Sequence, residues 1–150
     1  MKVLDLEMLQ NLTQDILGKM AFMFVEPMED GGDYEGSLSA CVEYEGPEGT
    51  DALILQGSSD FLMELASGLL GLEFHEVDKN VEGLHSLKEI ANVLAGEIIR
   101  ELGGEHAQFS LGIPYALESE RPEGAEETVV CDFDAMGQAF RASIVHMPSA

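Results

Sequence analysis

Apolar residues recur at intervals of three and four along the first segment of the chain, from Val3 to about Phe24. The positions that set this period are Leu6, Leu9, Leu12, Ile16 and Met20. Such spacing is typical of an amphipathic helix with one apolar face. The next stretch, residues 26–33, combines proline, glycine and carboxylates, and this composition predicts a loop.

Two strand-like runs follow, Gly36–Tyr44 and Asp51–Gln56, and the residues between them, Glu45–Gly49, predict a hairpin turn. The segment Ser58–Leu70 then returns to a helical period. A serine stands at its start, where it would cap the helix, and Gly71 stands where the helix would end.

A polar connector, Glu73–Asn80, leads into a long predicted helix from about Leu84 to Leu102, which stops at Gly103 and Gly104. Three further strand-like segments are Ala107–Leu117, Glu127–Phe133 and Gln138–His146, and the turn Arg121–Gly124 separates the first two. Because the last segment alternates apolar and polar residues, we expect it to be an edge strand.

The chain contains an internal repeat. Aligning Gly18 with Gly96 superimposes the apolar positions of the first helix on those of the long helix, and each helix precedes two strands and a Pro-Glu-Gly turn. We therefore predict one α+β domain, 1–150, built as a pseudo-two-fold repeat of helix plus β-hairpin units. Their strands would join in an antiparallel sheet packed with helices.

Composition narrows the functional classes. The 29 acidic residues outnumber the seven basic ones and give a net charge of −22, which disfavours nucleic acid and anionic membranes as partners. This charge suits a partner with a basic rim, or simply keeps the protein soluble. Without a membrane-length apolar run or a signal peptide, the chain is expected to be cytoplasmic. Cys41 and Cys131 lie in apolar runs and are interpreted as reduced core residues.

The long helix has two distinct faces. The apolar face predicted to contact the core carries Leu84, Leu87, Ile90, Ala91, Leu94, Ala95, Ile98 and Leu102. The opposite face carries His85, Glu89, Asn92, Gly96 and Arg100. Glu89 and Asn92 are three residues apart and project together. Gly96, at a cost of ~1 kcal/mol relative to alanine, would let another molecule approach the helix closely.

The segment Leu87–Gly96, with Glu-x-x-Asn at its centre, resembles the signature helix of the CheC/CheX/FliY phosphatase family. The downstream segment Ser110–Pro114 resembles that family's proline-bearing strand. One position departs from the pattern, because His85 stands where the family has Asp or Ser, and Ser86 lies 100° around the helix. In the first helix, Asn11 and Gln14 align with Glu89 and Asn92, so the chain has one site and is most similar to CheX.

The resemblance implies a phosphatase that acts on the aspartyl-phosphate of a CheY-like response-regulator receiver domain. Asn92 would position the attacking water, and Glu89 would pair with a receiver lysine. Partner contacts would include His85, Lys88, Gly96 and Arg100. The resemblance also implies a homodimer and no cofactor or metal of its own, since the receiver supplies Mg²⁺.

Two alternatives stay open. Glu89 would act as a general base if docking buried it and raised its pKa. The protein would instead be a non-catalytic interaction module of the same fold if His85 abolishes activity. The acidic cluster at Glu73, His75, Glu76 and Asp78 lacks a metal-binding spacing and is interpreted as a solvated loop.

Overall fold

The computed structural model describes residues 4–29, 31–103 and 108–148. Three α-helices lie against one face of an antiparallel sheet of seven strands. The helices are α1 (Leu6–Ala21), α2 (Ser59–Leu70) and α3 (Leu84–Gly103). The strands are β1 (Val25–Met28), β2 (Leu38–Gly46), β3 (Gly49–Gly57), β4 (Ser110–Leu111), β5 (Tyr115–Leu117), β6 (Glu126–Ala135) and β7 (Gln138–His146).

The helix boundaries follow from local capping. Asp5 caps α1 by accepting a hydrogen bond from the Met8 N–H, and Phe22 ends it in the left-handed conformation. Ser58 caps α2 by accepting from the Phe61 N–H, and Gly71 ends it at a φ of 71°. The predicted start and stop of α2 are therefore confirmed, whereas α1 is a few residues shorter than predicted.

The strand order β1-β6-β7-β3-β2-β4, with β5 also pairing to β2, makes the two ends of the sheet alike. The hairpin β2–β3 meets the hairpin β6–β7 along the central pair β3–β7. A short edge strand flanks each hairpin, β1 beside β6 and β4–β5 beside β2. This arrangement fits the predicted pseudo-two-fold repeat.

The prediction that the two Pro-Glu-Gly turns occupy equivalent places in the repeat is wrong. Pro47 and Glu48 form the turn between β2 and β3, but Pro122–Gly124 lies between β5 and β6. The counterpart of the β2–β3 turn is instead Met136–Gly137, where both residues have positive φ. A shared composition at the two Pro-Glu-Gly segments therefore does not mark the same place in the repeat.

The prediction of a loop over residues 26–33 is wrong in its first part. Residues of β1 pair with β6, with Pro27 opposite Phe133. Proline has no N–H to donate to a neighbouring strand. Because β1 is an edge strand with no neighbour on its open side, Pro27 is tolerated there. The proline and charges that indicated a loop are thus compatible with a strand at this position.

The prediction that Gln138–His146 is an edge strand is also wrong. The strand has the predicted boundaries, but β7 lies between β6 and β3 in the interior of the sheet. The predicted strand Ala107–Leu117 is two short strands, β4 and β5, interrupted at residues 112–114. Gly104 and the start of that segment lie outside the described residues.

The main core fills the space between the helices and the inner sheet face. Its largest fully buried side chains include Phe61, Phe133 and Phe140; the ring of Phe61 stacks on that of Phe140, and the ring of Phe133 packs against Phe140 at a tilt of 37°. Both cysteines are buried and unpaired, and burial raises the pKa of each thiol. Their interpretation as core residues is confirmed.

Candidate functional site

Helix α3 is held by its apolar face, as the sequence predicts. Its buried residues are Ser86, Leu87, Ile90, Ala91, Leu94, Ala95 and Ile98, and the helix packs on β2 and against α1 and α2. Leu84 and Leu102, predicted as core contacts, are only partly buried because they lie at the two ends of the helix. The rigid attachment fixes the direction in which the opposite face projects.

The polar connector before α3 is solvated, as predicted, but it contains two short helices. A 3₁₀-helix, Phe74–Glu76, and a π-helix, Lys79–Gly83, lead directly into α3. The Lys79 ammonium donates to the carbonyl oxygen of Gly36 over 2.8 Å, which ties the connector to the loop before β2. Gly83 is buried against Leu62, where an added Cβ would lie 3.2 Å from the Leu62 Cβ.

The exposed face of α3 brings together the residues singled out in the sequence. His85, Glu89 and Asn92 are all exposed, and no hydrogen bond or ion pair within the described residues occupies Glu89 or Asn92. Their carboxylate and carboxamide are therefore available to another molecule. The acceptor and donor atoms of Asn92 suit it to orient a water, and the charge of Glu89 suits it to meet a cation.

Gly96 lies on this face with open space around it. Beyond its chain neighbours and the backbone of its own helix, a Cβ built at Gly96 would meet no described atom within 4 Å. The glycine is therefore not required by packing inside this protein, in contrast to Gly68 of α2, where a Cβ would overlap the carbonyl oxygen of Ala21. The helix-propensity cost at Gly96 has no compensation within the described structure.

The remaining predicted contact residues lie around the same face. Lys88 is partly buried, and Arg100 is exposed with its guanidinium 3.4 Å from the Glu97 carboxylate. An exposed pair of this kind contributes little to stability, so Arg100 is free to exchange partners. The predicted residues thus form one continuous strip along α3.

Ser86 cannot take the place of the Asp or Ser that the resembled family has at the position of His85. Its side chain is fully buried, and its hydroxyl oxygen has no hydrogen-bond partner. A serine that faces the core cannot contact a docked protein, so His85 alone stands at that position on the exposed face.

The equivalent face of α1 is arranged differently. Asn11 is exposed, but the Gln14 carboxamide donates to the carbonyl oxygen of Val25 over 3.0 Å. This bond ties Gln14 to the segment that follows its own helix. Gln14, which aligns with Asn92, is therefore engaged within the protein, whereas Asn92 is not.

A bound metal ion is held by a cluster of ligating side chains. Within residues 4–29, 31–103 and 108–148, no three His, Cys, Asp or Glu side chains converge as a metal site would require. In the predicted acidic loop, Glu73 and Glu76 form a reciprocal capping box, and Asp78 accepts from the Asn80 N–H. None of the described helices is long and apolar enough to cross a membrane.

Sequence reasoning missed one surface feature beside this helix. Ile113, in the interruption between β4 and β5, is 86% exposed. The glycine and proline on either side of Ile113 indicate a break in the strand, but the sequence analysis predicted one continuous strand over the whole segment.

Comparison with known proteins places these observations in a family. The family model described as "Chemotaxis phosphatase CheX" matches residues 38–134, which include most of the sheet and all of α3. No curated protein matches the chain.

Solved structures share the fold over nearly the full chain. The chemotaxis protein CheX from Desulfovibrio desulfuricans has a TM-score of 0.71 at 13% identity, covering 93% of this chain and 96% of its own. CheX from Vibrio vulnificus has a TM-score of 0.72 at 16% identity, covering 93% of each chain. A chain of the CheX–CheY–BeF₃–Mg²⁺ complex from Borrelia burgdorferi has a TM-score of 0.69 at 17% identity, covering 98% of this chain and 100% of its own. At these identities the likeness shows the fold alone.

Proposed function

The chain belongs to the chemotaxis phosphatase CheX family, and on that premise we propose that it dephosphorylates the aspartyl-phosphate of a CheY-like response-regulator receiver domain in the cytoplasm. The observation that carries the proposal is the pair Glu89 and Asn92. Both project from the exposed face of a firmly packed helix, and neither is occupied within the described residues. The CheX–CheY complex of the Borrelia burgdorferi relative supports the choice of partner.

In the proposed reaction, water attacks the phosphorus, the bond to the aspartate oxygen breaks, and inorganic phosphate leaves. Such a transfer demands positioning and charge stabilisation more than covalent chemistry. The Asn92 carboxamide accepts a hydrogen bond from the water through its oxygen and orients it in line with the leaving carboxylate. Mg²⁺ bound by the receiver would neutralise the phosphoryl oxygens.

Glu89 serves docking in this proposal. Its carboxylate pairs with a lysine of the receiver and fixes the register in which Asn92 enters the receiver's site. The carboxylate is exposed and unpartnered within the described residues, so it can meet a lysine directly, and pairing is favoured over general-base catalysis. Lys88, Arg100 and His85 line the same strip, and Gly96 allows the receiver backbone to come close.

Phosphate release from phosphorylated receiver domains of the source organism tests the proposal. We expect the wild type to accelerate release above autodephosphorylation and Asn92→Ala to lose roughly 100-fold of that acceleration, as when one positioned polar group is removed from an active site. Because Asn92 is exposed and unpartnered and alanine is the better helix former, the variant should unfold at the wild-type temperature or slightly above it. Equal release by wild type and Asn92→Ala would contradict the role of the carboxamide.

His85 keeps a second function in consideration, that of a non-catalytic interaction module. The exposed position four residues before Glu89 carries an imidazole where the family has Asp or Ser, and the buried Ser86 does not compensate. If wild type binds a receiver without releasing phosphate, and His85→Asp restores release, the module is the native function.

The homodimer stays a prediction. Gln138–His146, predicted as an edge strand, cannot supply a pairing edge because β7 is central in the sheet. Pairing through a sheet edge would instead use β1 or the β4–β5 strand pair, which are the edges of the described sheet.

A further inference from the structure

Ile113 is the most exposed large apolar side chain in the described part of the protein. It is 86% exposed, compared with 84% for Phe24 and 79% for Phe22. At this exposure the isoleucine side chain adds almost nothing to the core and is available to another molecule.

The backbone at Ile113 is held in place. Between the pairs Tyr44–Leu111 and Cys41–Tyr115, two residues of β2 face the three residues 112–114, so the edge strand carries a bulge. The Gly112 N–H donates to the carbonyl oxygen of Glu43 over 2.7 Å, and a Cβ at Gly112 would lie 2.9 Å from the same oxygen. Bulges of this kind re-aim side chains and occur frequently beside functional sites.

The bulge lies beside the middle of α3. Near one end of the helix, Leu84 shares a cavity with Leu38 and Leu117. Near the other end, Leu102 shares a cavity with Tyr44 and Phe109. The helix therefore runs along β2, and the bulge, opposite Val42 and Glu43, falls between its two ends.

The flank of α3 that faces this edge leads directly to the proposed site. On the helical wheel, Lys88 and Ile99 fall between Leu84, which faces the edge, and Asn92, which faces outward. A standard protein interface covers about 800 Å² on each partner, which is far wider than one helix face. A receiver centred on Asn92 would therefore extend over the bulge.

We propose that Ile113 is an apolar anchor for the receiver domain, inserting into an apolar depression beside the receiver's phosphorylation site. The inference rests on the proposed function and adds to it a residue that sets affinity and receiver choice. Polar Glu89 and Asn92 determine orientation, whereas a buried apolar anchor supplies the binding free energy that few polar contacts provide. Ile113 touches the partner but takes no part in the phosphoryl transfer.

The test measures binding of the full chain to a beryllofluoride-loaded receiver domain, together with phosphate release over a range of receiver concentrations. Ile113→Ala should raise Kd roughly tenfold and leave release at saturating receiver unchanged. Phe24→Ala is the matched control, because Phe24 is equally exposed but leads into β1 at the opposite sheet edge. We expect Phe24→Ala to bind as the wild type does.

Three outcomes would overturn the inference: Ile113→Ala binding like the wild type, Phe24→Ala losing as much affinity, or no receiver binding the wild type at all. Failure of the phosphatase proposal has a different signature. If wild type and Asn92→Ala release phosphate equally while Ile113→Ala still loses affinity, the anchor stands and the catalytic role falls.

Discussion

At the scale of single residues, positions 85 and 86 have opposite surroundings although they are neighbours. His85 is exposed, whereas the Ser86 hydroxyl is fully buried without a hydrogen-bond partner. A buried hydroxyl in this state costs free energy, because it has left water and gained nothing in return. A substitution at position 85 should therefore affect partner contact, whereas one at position 86 should affect stability.

Ser86→Ala should raise the free energy of unfolding by about 1 kcal/mol, since it removes the unpaired hydroxyl and introduces a better helix former. Urea unfolding followed by circular dichroism measures the change. Phosphate release should stay at the wild-type rate because the side chain does not reach the exposed face. A loss of stability on this substitution would mean that the hydroxyl is paired in solution.

At the scale of elements, α3 combines a face that packs with a face that is free, and Gly96 belongs to the free face. Gly96→Ala should stabilise the fold by about 0.5–1 kcal/mol, because alanine favours the helix and no atom of the protein lies near the added methyl. The same methyl should weaken receiver binding if the receiver approaches α3 closely at this point. Thermal unfolding and receiver affinity, measured on one variant, are expected to move in opposite directions.

Gly68→Ala serves as the control for this argument. The added methyl would overlap the Ala21 carbonyl oxygen, so the substitution should destabilise the protein by roughly 1–3 kcal/mol through overpacking between α1 and α2. If Gly96→Ala instead leaves receiver affinity unchanged, close approach at that glycine is refuted.

The elements also show what the sequence could predict. The period along α3 placed Glu89 and Asn92 outward, because one long amphipathic helix has only one way to bury its apolar stripe. The pattern could not locate β7, because alternation describes the two faces of a strand and not its neighbours. It missed β1 because Pro27 and the charges around it are tolerated only at an edge, and being an edge is a property of the assembled sheet.

At the scale of the whole molecule, all three tyrosines are held in the neutral form. Burial raises the pKa of Tyr34, Tyr44 and Tyr115, and Tyr34 and Tyr115 also donate hydrogen bonds to Asp132 and Glu43. The unfolded chain releases these protons near pH 10. Stability linked to them is therefore complete below about pH 10 and is lost as the pH rises above it.

We expect tyrosinate absorbance to appear together with unfolding in an alkaline titration, at a pH above that of free tyrosine. The absence of tryptophan leaves this signal unobscured. Tyr44→Phe should unfold with a shallower dependence on pH, since one linked proton is gone. Ionisation of all three tyrosines near pH 10 while circular dichroism stays native would refute the linkage.

The central position of β7 has a consequence for folding during synthesis of the protein. In the described sheet the two hairpins join through β3 and β7, and β7 ends at His146, so the chain must be synthesised through this strand before the sheet can close. Until then, β3 presents an open apolar edge to the cell, where chaperones or other nascent chains can pair with it. Yield in vivo should therefore depend on how quickly translation proceeds from β3 to β7.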